Sequence, residues 1–123
     1  MLKFFLLVFL GGGLGSVARY GLSYLSAQLY TSSFPFVTFC VNIIGSLLIG
    51  LFWAIPAISD KHSYICLLIV GFCGGFTTFS AFSWENFNLL KQGEIFLFFI
   101  YVLLSVIICL LATWGGYAIG KHL

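Results

Sequence analysis

The chain has 123 residues, of which 62% are hydrophobic and only 7% charged, with a net charge of +2 and a mean hydropathy of +1.17. A soluble domain carries about 25% charged residues, so this composition excludes a water-covered globule and predicts a chain built for lipid. A bilayer is crossed by about 20 apolar residues, and four such stretches follow one another at 4–27, 35–57, 64–90 and 95–119. They leave only short connections. Residues 1–123 therefore form a single four-helix transmembrane domain, an all-α membrane protein.

Span one opens with "MLKFFLLVFLGGGLGS". One lysine, an apolar run and small residues imitate a secretory signal, but no A-x-A-like cleavage site follows and the apolar character resumes after Arg19. The span is expected to stay attached. Gly11 and Gly15 form a GxxxG pair, and Gly12 and Ser16 repeat the spacing, which lets two helices approach closely. Arg19 is the strong charge inside this span. It either snorkels to an interface or attracts anions at the mouth of a pathway.

Span two carries Asn42, Ser46 and Gly50 at intervals of four, with Gly45 beside them. An amide in lipid must face protein or water, because its donors and acceptor are costly to leave unpaired. Asn42 thus either holds a neighbouring helix or faces a solute path.

Span three contains "GGFTTFSAF", residues 74–82. Paired glycines and threonines are poor helix formers, so the helix is expected to break mid-membrane. Non-helical backbone survives in a bilayer only where protein or water covers it. Its freed carbonyls can hold a cation such as sodium, and oxygen ligands suit hard cations. Phe79 and Phe82 share a face if the helix resumes, and their positive ring edges can meet a small anion. Glu85 and Asn86 close the span at an expected headgroup depth.

In span four Tyr101, Ser105, Cys109, Thr113 and Tyr117 recur every fourth residue. Such neighbours stack on a helix, although the row drifts because a turn takes 3.6 residues. Tyr101, Ser105 and Cys109 should still share a face, forming a polar track. Gly115, Gly116 and Gly120 end the span with further close-packing positions.

The remaining residues narrow the function. Cys40, Cys66, Cys73 and Cys109 all fall within spans, where they read as small hydrophobes rather than a disulfide framework or zinc site. His62 and His122 have no metal-ligand partners nearby in sequence. No nucleophile–base pair, phosphate loop or metal-ligand cluster is present, so an enzyme is not expected, and nucleic acid is not an expected partner. For orientation, Lys3, Lys61 and Lys121 oppose Lys91 and Arg19, a score of three to two. So small a Lys/Arg excess gives either a weak preference or insertion both ways, and the second permits an antiparallel homodimer.

Three stretches together, "GGGLGSVARYGLS", "FVTFCVNIIGSLLIG" and "GFCGGFTTFSAFSWE", resemble the signatures of the CrcB/Fluc fluoride channels in order, spacing and overall length. The resemblance covers essentially the whole chain. It implies a dual-topology homodimer of antiparallel subunits in the bacterial cytoplasmic membrane. It also implies passive fluoride export through two narrow pores, which relieves fluoride toxicity. By similarity the broken third helix holds a structural sodium ion at the dimer axis through the backbone carbonyls of Gly74 and Thr77. Asn42 matches the pore asparagine, and Phe79 and Phe82 match the paired phenylalanines. Thr78, Ser80, Tyr101 and Ser105 match the polar track, and Arg19 the basic residue of the first signature. Two positions depart: Ala81 stands where a threonine is common, and Cys109 falls where a hydroxyl is expected, a thiol being the weaker donor. The alternatives are a small dual-topology multidrug or cation transporter and a non-transporting assembly subunit. The first depends on an acid within span one, which has none.

Overall fold

The computed structural model describes residues 1–123. It is all-helical, and four helical segments are long and apolar enough to cross a membrane: Leu2–Leu29, Phe36–Ala54, His62–Lys91 and Ile95–Gly120. Helix α1 spans Leu2–Leu29 and ends where Tyr30 turns extended. Helix α2, Phe36–Ala54, starts behind Pro35 and stops before Pro56, since proline pushes the residue ahead of it out of helical geometry. The one-turn helices α3 (Pro56–Ser59) and α4 (His62–Tyr64) lead into the third segment. Gly93, at φ +76°, makes the tight turn from the third segment into α7, Ile95–Gly120.

The third segment is not uniform. Its hydrogen bonds widen to the π pattern over Ile65–Cys73, and one α-turn, α5, follows at Gly74–Phe76. Thr77 (φ −77°, ψ 157°) and Thr78 (φ −151°, ψ 117°) are extended. Helix α6 then runs from Phe79 to Lys91, with the Thr78 hydroxyl capping it by accepting the Ala81 N–H. A π-helical stretch next to extended backbone is a usual mark of a functional position.

Glycines set the packing. A Cβ on Gly11 would lie 2.0 Å from the Leu67 carbonyl oxygen, and one on Gly15 would lie 2.3 Å from that of Phe72. Helix α1 therefore rests directly on the backbone of the π-helical stretch. On the other side of the bundle α2 rests on α7: Gly50 meets the Thr113 carbonyl and Gly116 that of Leu47. Of the glycines singled out in the sequence, Gly74 and Gly115 have nothing within 4 Å of a Cβ built there. The two tight pairs meet at the extended residues. Gly45 of α2 is buried, and a Cβ there would strike the Thr77 methyl group.

Candidate functional site

The extended residues are held by Asn42. Its Oδ1 accepts the Thr78 N–H at 2.8 Å, and its Nδ2 donates to the Thr78 carbonyl at 3.2 Å. The amide thus pairs both polar groups of one residue, as a neighbouring strand would. Of the two readings open for Asn42, the helix-tethering one is therefore realised. It does not exhaust the side chain: an asparagine amide has two N–H donors, and one remains free.

That free donor borders a cleft of about 540 Å³. Gly74, Thr77, Thr78, Phe79, Phe82 and Ser105 line it as well, and Cys109 adds its thiol. Ser105 Oγ is buried and has no partner, an expensive state that leaves it ready for a ligand. Phe79 and Phe82 lie with centroids 5.5 Å apart, their planes inclined at 38°. Phe82 leans on the Tyr101 ring at 5.0 Å. Phe79 is 78% exposed, so the cleft is open on its side.

The other expected site residues sit around this cleft. Tyr101 is fully buried one turn from Ser105, and both share a face with Cys109. Further along the row Thr113 turns back onto the Cys109 carbonyl at 3.0 Å, and Tyr117 is largely exposed; the drift of the four-residue interval ends the track there. Ser80 is exposed and pairs its hydroxyl with that of Thr78 at 3.1 Å. Arg19 does not line the cleft. Expected at an interface or at the mouth of a pathway, it instead donates from Nε to the Gly75 carbonyl at 3.2 Å. A guanidinium with five donors serves a carbonyl that has lost its helical partner.

Glu85, read from the sequence at headgroup depth, is held on both oxygens: Tyr101 donates to its Oε2 at 2.8 Å and the Thr38 hydroxyl donates to its Oε1. Both of its oxygens are thus bound by neutral hydroxyls. On its outer side Glu85 borders a second, polar hollow lined by Thr31, Ser32, Asn88 and Gln92. Spacing alone could have found both missed residues. Thr38 lies one turn before Asn42 on α2, and Glu85 lies at i+3 from Phe82 on α6, so each shares a face with a residue already singled out. Asn86 is buried too, its Nδ2 donating to the Phe82 carbonyl at 2.9 Å.

The backbone offers oxygens. In an unbroken helix the Gly74 carbonyl would accept the Thr78 N–H, and the Thr77 carbonyl would accept that of Ala81. Here Asn42 takes the first and the Thr78 hydroxyl takes the second. Gly74 is also unobstructed, with nothing within 4 Å of a Cβ built there. Two freed carbonyls with open space beside one of them fit a hard cation.

Four apolar helices, of which α2, the third segment and α7 line a cleft that combines unpaired hydrogen-bond donors with aromatic rings, define a multi-pass integral membrane protein. Comparison with known proteins narrows this class. A family model described as "CrcB-like protein, Camphor Resistance (CrcB)" matches residues 6–117, and the chain belongs to that family. It is 48% identical to the "Fluoride-specific ion channel FluC" of Flavobacterium psychrophilum, over 93% of this chain and 94% of that one. It is 46% identical to the protein of the same name from Coxiella burnetii, over 96% and 98%. The one from Campylobacter lari is 43% identical, over 98% and 100%.

Proposed function

We propose that this protein is a fluoride-selective channel, not an enzyme, and that it lets fluoride leave a bacterial cell passively across the cytoplasmic membrane. One observation supports the reading beyond kinship: the unpartnered Ser105 hydroxyl, the spare Asn42 N–H and the Phe79 and Phe82 rings all border one cleft. Fluoride is small and holds water tightly. A path that strips this water must return hydrogen bonds from fixed donors, and positive ring edges add to them. Thr78, Ser80 and Tyr101 extend the set of hydroxyls on either side. Arg19 contributes from behind the path, through the backbone it holds.

The functional unit in this reading is an antiparallel homodimer with dual topology, in which the third helix is broken at mid-membrane. The near balance of basic residues, three against two, permits insertion both ways. The exposed Phe79 and the open space at Gly74 leave room for a second copy to close the cleft. The carbonyls of Gly74 and Thr77 would hold a sodium ion at the dimer axis. Two oxygens are few for a hard cation, and a symmetry mate would double them. Bound there, the ion would supply fixed positive charge that helps hold two chains together.

The test is efflux from liposomes carrying the purified protein, followed with a fluoride electrode and repeated with chloride. Rapid fluoride release with chloride retained is expected. No release from folded protein would overturn the channel reading in favour of an assembly subunit.

A further inference from the structure

The cleft described above leaves one feature unused: the double contact from α1 to the Gly75 carbonyl. Ser16 Oγ donates to that oxygen at 3.4 Å and Arg19 Nε at 3.2 Å. This is the only side-chain hydrogen bond that Arg19 makes. No other carbonyl among residues 74–77 receives a side-chain donor. The helices are pressed together at this point, for a Cβ on Gly75 would lie 2.3 Å from the Gly12 carbonyl oxygen. Gly12, Ser16 and Arg19 thus form one face of α1, fitted to a single peptide of the third segment. On the far side of that segment Asn42 fixes Thr78 in the same manner.

We infer that Ser16 and Arg19 are positioning residues that decide which carbonyls are left for a cation. The inference rests on the sodium reading given above. A hydrogen bond from each flank pins the backbone on both sides of Thr77. With Gly75 engaged by α1 and Thr78 engaged by α2, the Gly74, Phe76 and Thr77 carbonyls lose their helical donors and gain no side-chain donor; of these the proposal takes Gly74 and Thr77 as the ligands. Without the α1 clamp, the Gly75 carbonyl loses both of its donors, and its oxygen competes with theirs. The positive charge of Arg19 acts in the opposite sense, since it repels a nearby cation. In this proposal the geometric effect outweighs the repulsion, because the charge is spent on a carbonyl pointing to α1.

Thr77–Thr78 is the only Thr–Thr peptide in the chain. Threonine labelled with ¹³C at the carbonyl and ¹⁵N at the amide therefore gives one pair signal, and it reports the Thr77 carbonyl itself. The signal is followed by NMR in micelles as sodium chloride replaces N-methylglucamine chloride at constant ionic strength. Wild-type protein should show one saturable shift. Arg19→Met should raise the sodium midpoint by about 10–100-fold, the usual cost of losing a group that orients metal ligands. Ser16→Ala should raise it less, and Arg19→Lys, which keeps a donor and the charge, should recover part of the loss. An unchanged or lowered midpoint in both Arg19→Met and Ser16→Ala would overturn the clamp and leave the sodium reading standing. A wild-type signal indifferent to sodium would overturn both. Ser16→Ala leaves Arg19 in place and decides the matter if Arg19→Met fails to fold.

Discussion

Asn42 carries two duties, and a pair of substitutions separates them. It ties both polar groups of Thr78 to α2 and keeps one N–H for the cleft. Asn42→Ala removes both hydrogen bonds, which at about 1 kcal/mol each costs ~2 kcal/mol of stability. It also removes the donor from the path. Asn42→Asp keeps an acceptor for the Thr78 N–H, strengthened by its charge. Against that gain it sets an oxygen facing the Thr78 carbonyl, so its cost in stability is of the same order. For an anion the two variants differ greatly. A carboxylate about 4 Å from the ion, at an effective dielectric constant of about 20, repels it by ~4 kcal/mol. That barrier corresponds to a loss of about a thousandfold in rate. Fluoride efflux and thermal unfolding should be measured on both variants. The expected result is similar stability and a far lower flux for Asn42→Asp. If flux fell equally in both, the added charge would not be felt, and Asn42 would not face the ion.

Further outcomes follow from the same geometry. Phe79→Ile and Phe82→Ile should each depress fluoride efflux, because both rings border the cleft; wild-type rates in both would reduce the rings to packing. Tyr101→Phe keeps the ring contact with Phe82 but leaves Glu85 Oε2 without its donor. A buried acceptor left without its donor costs about 1–3 kcal/mol, and thermal unfolding in detergent should register that loss. Gly15→Ala places a Cβ 2.3 Å from the Phe72 carbonyl oxygen and 2.7 Å from the Phe76 nitrogen. Overpacking of this kind costs about 1–3 kcal/mol. Gly13→Ala, with nothing within 4 Å, should be neutral or stabilising; equal stability of these two variants would contradict the backbone contact of α1.

Much of this was legible in the residues, and the reasons differ from place to place. Long apolar runs reveal spans because a bilayer imposes a length, and the four helices fall within a few residues of those read from hydropathy. Gly11 and Gly15 announced a close helix contact by spacing, though not its partner, which turned out to be backbone of the third segment. The "GGFTT" stretch marked where helix propensity fails, and Thr77 and Thr78 are extended there. The widened π pattern over Ile65–Cys73 had no sequence signal, since an uninterrupted apolar run reads as an ordinary membrane helix. The partners of Arg19 and Glu85 were not legible for a shared reason: they lie 56 residues away for Arg19 and 47 and 16 residues away for Glu85. Sequence patterns register neighbours at three or four residues; they do not register a carbonyl exposed by a change of backbone in another span.

The most direct test of the central claim is the reversal potential of purified protein in a planar bilayer, with a fluoride gradient across it and chloride equal on both sides. A fluoride channel holds the current at zero at the fluoride equilibrium potential, and the reversal should follow the gradient as it is changed. A reversal fixed at zero voltage, or one that moves only when chloride is varied, would contradict fluoride selectivity and the role given to the cleft.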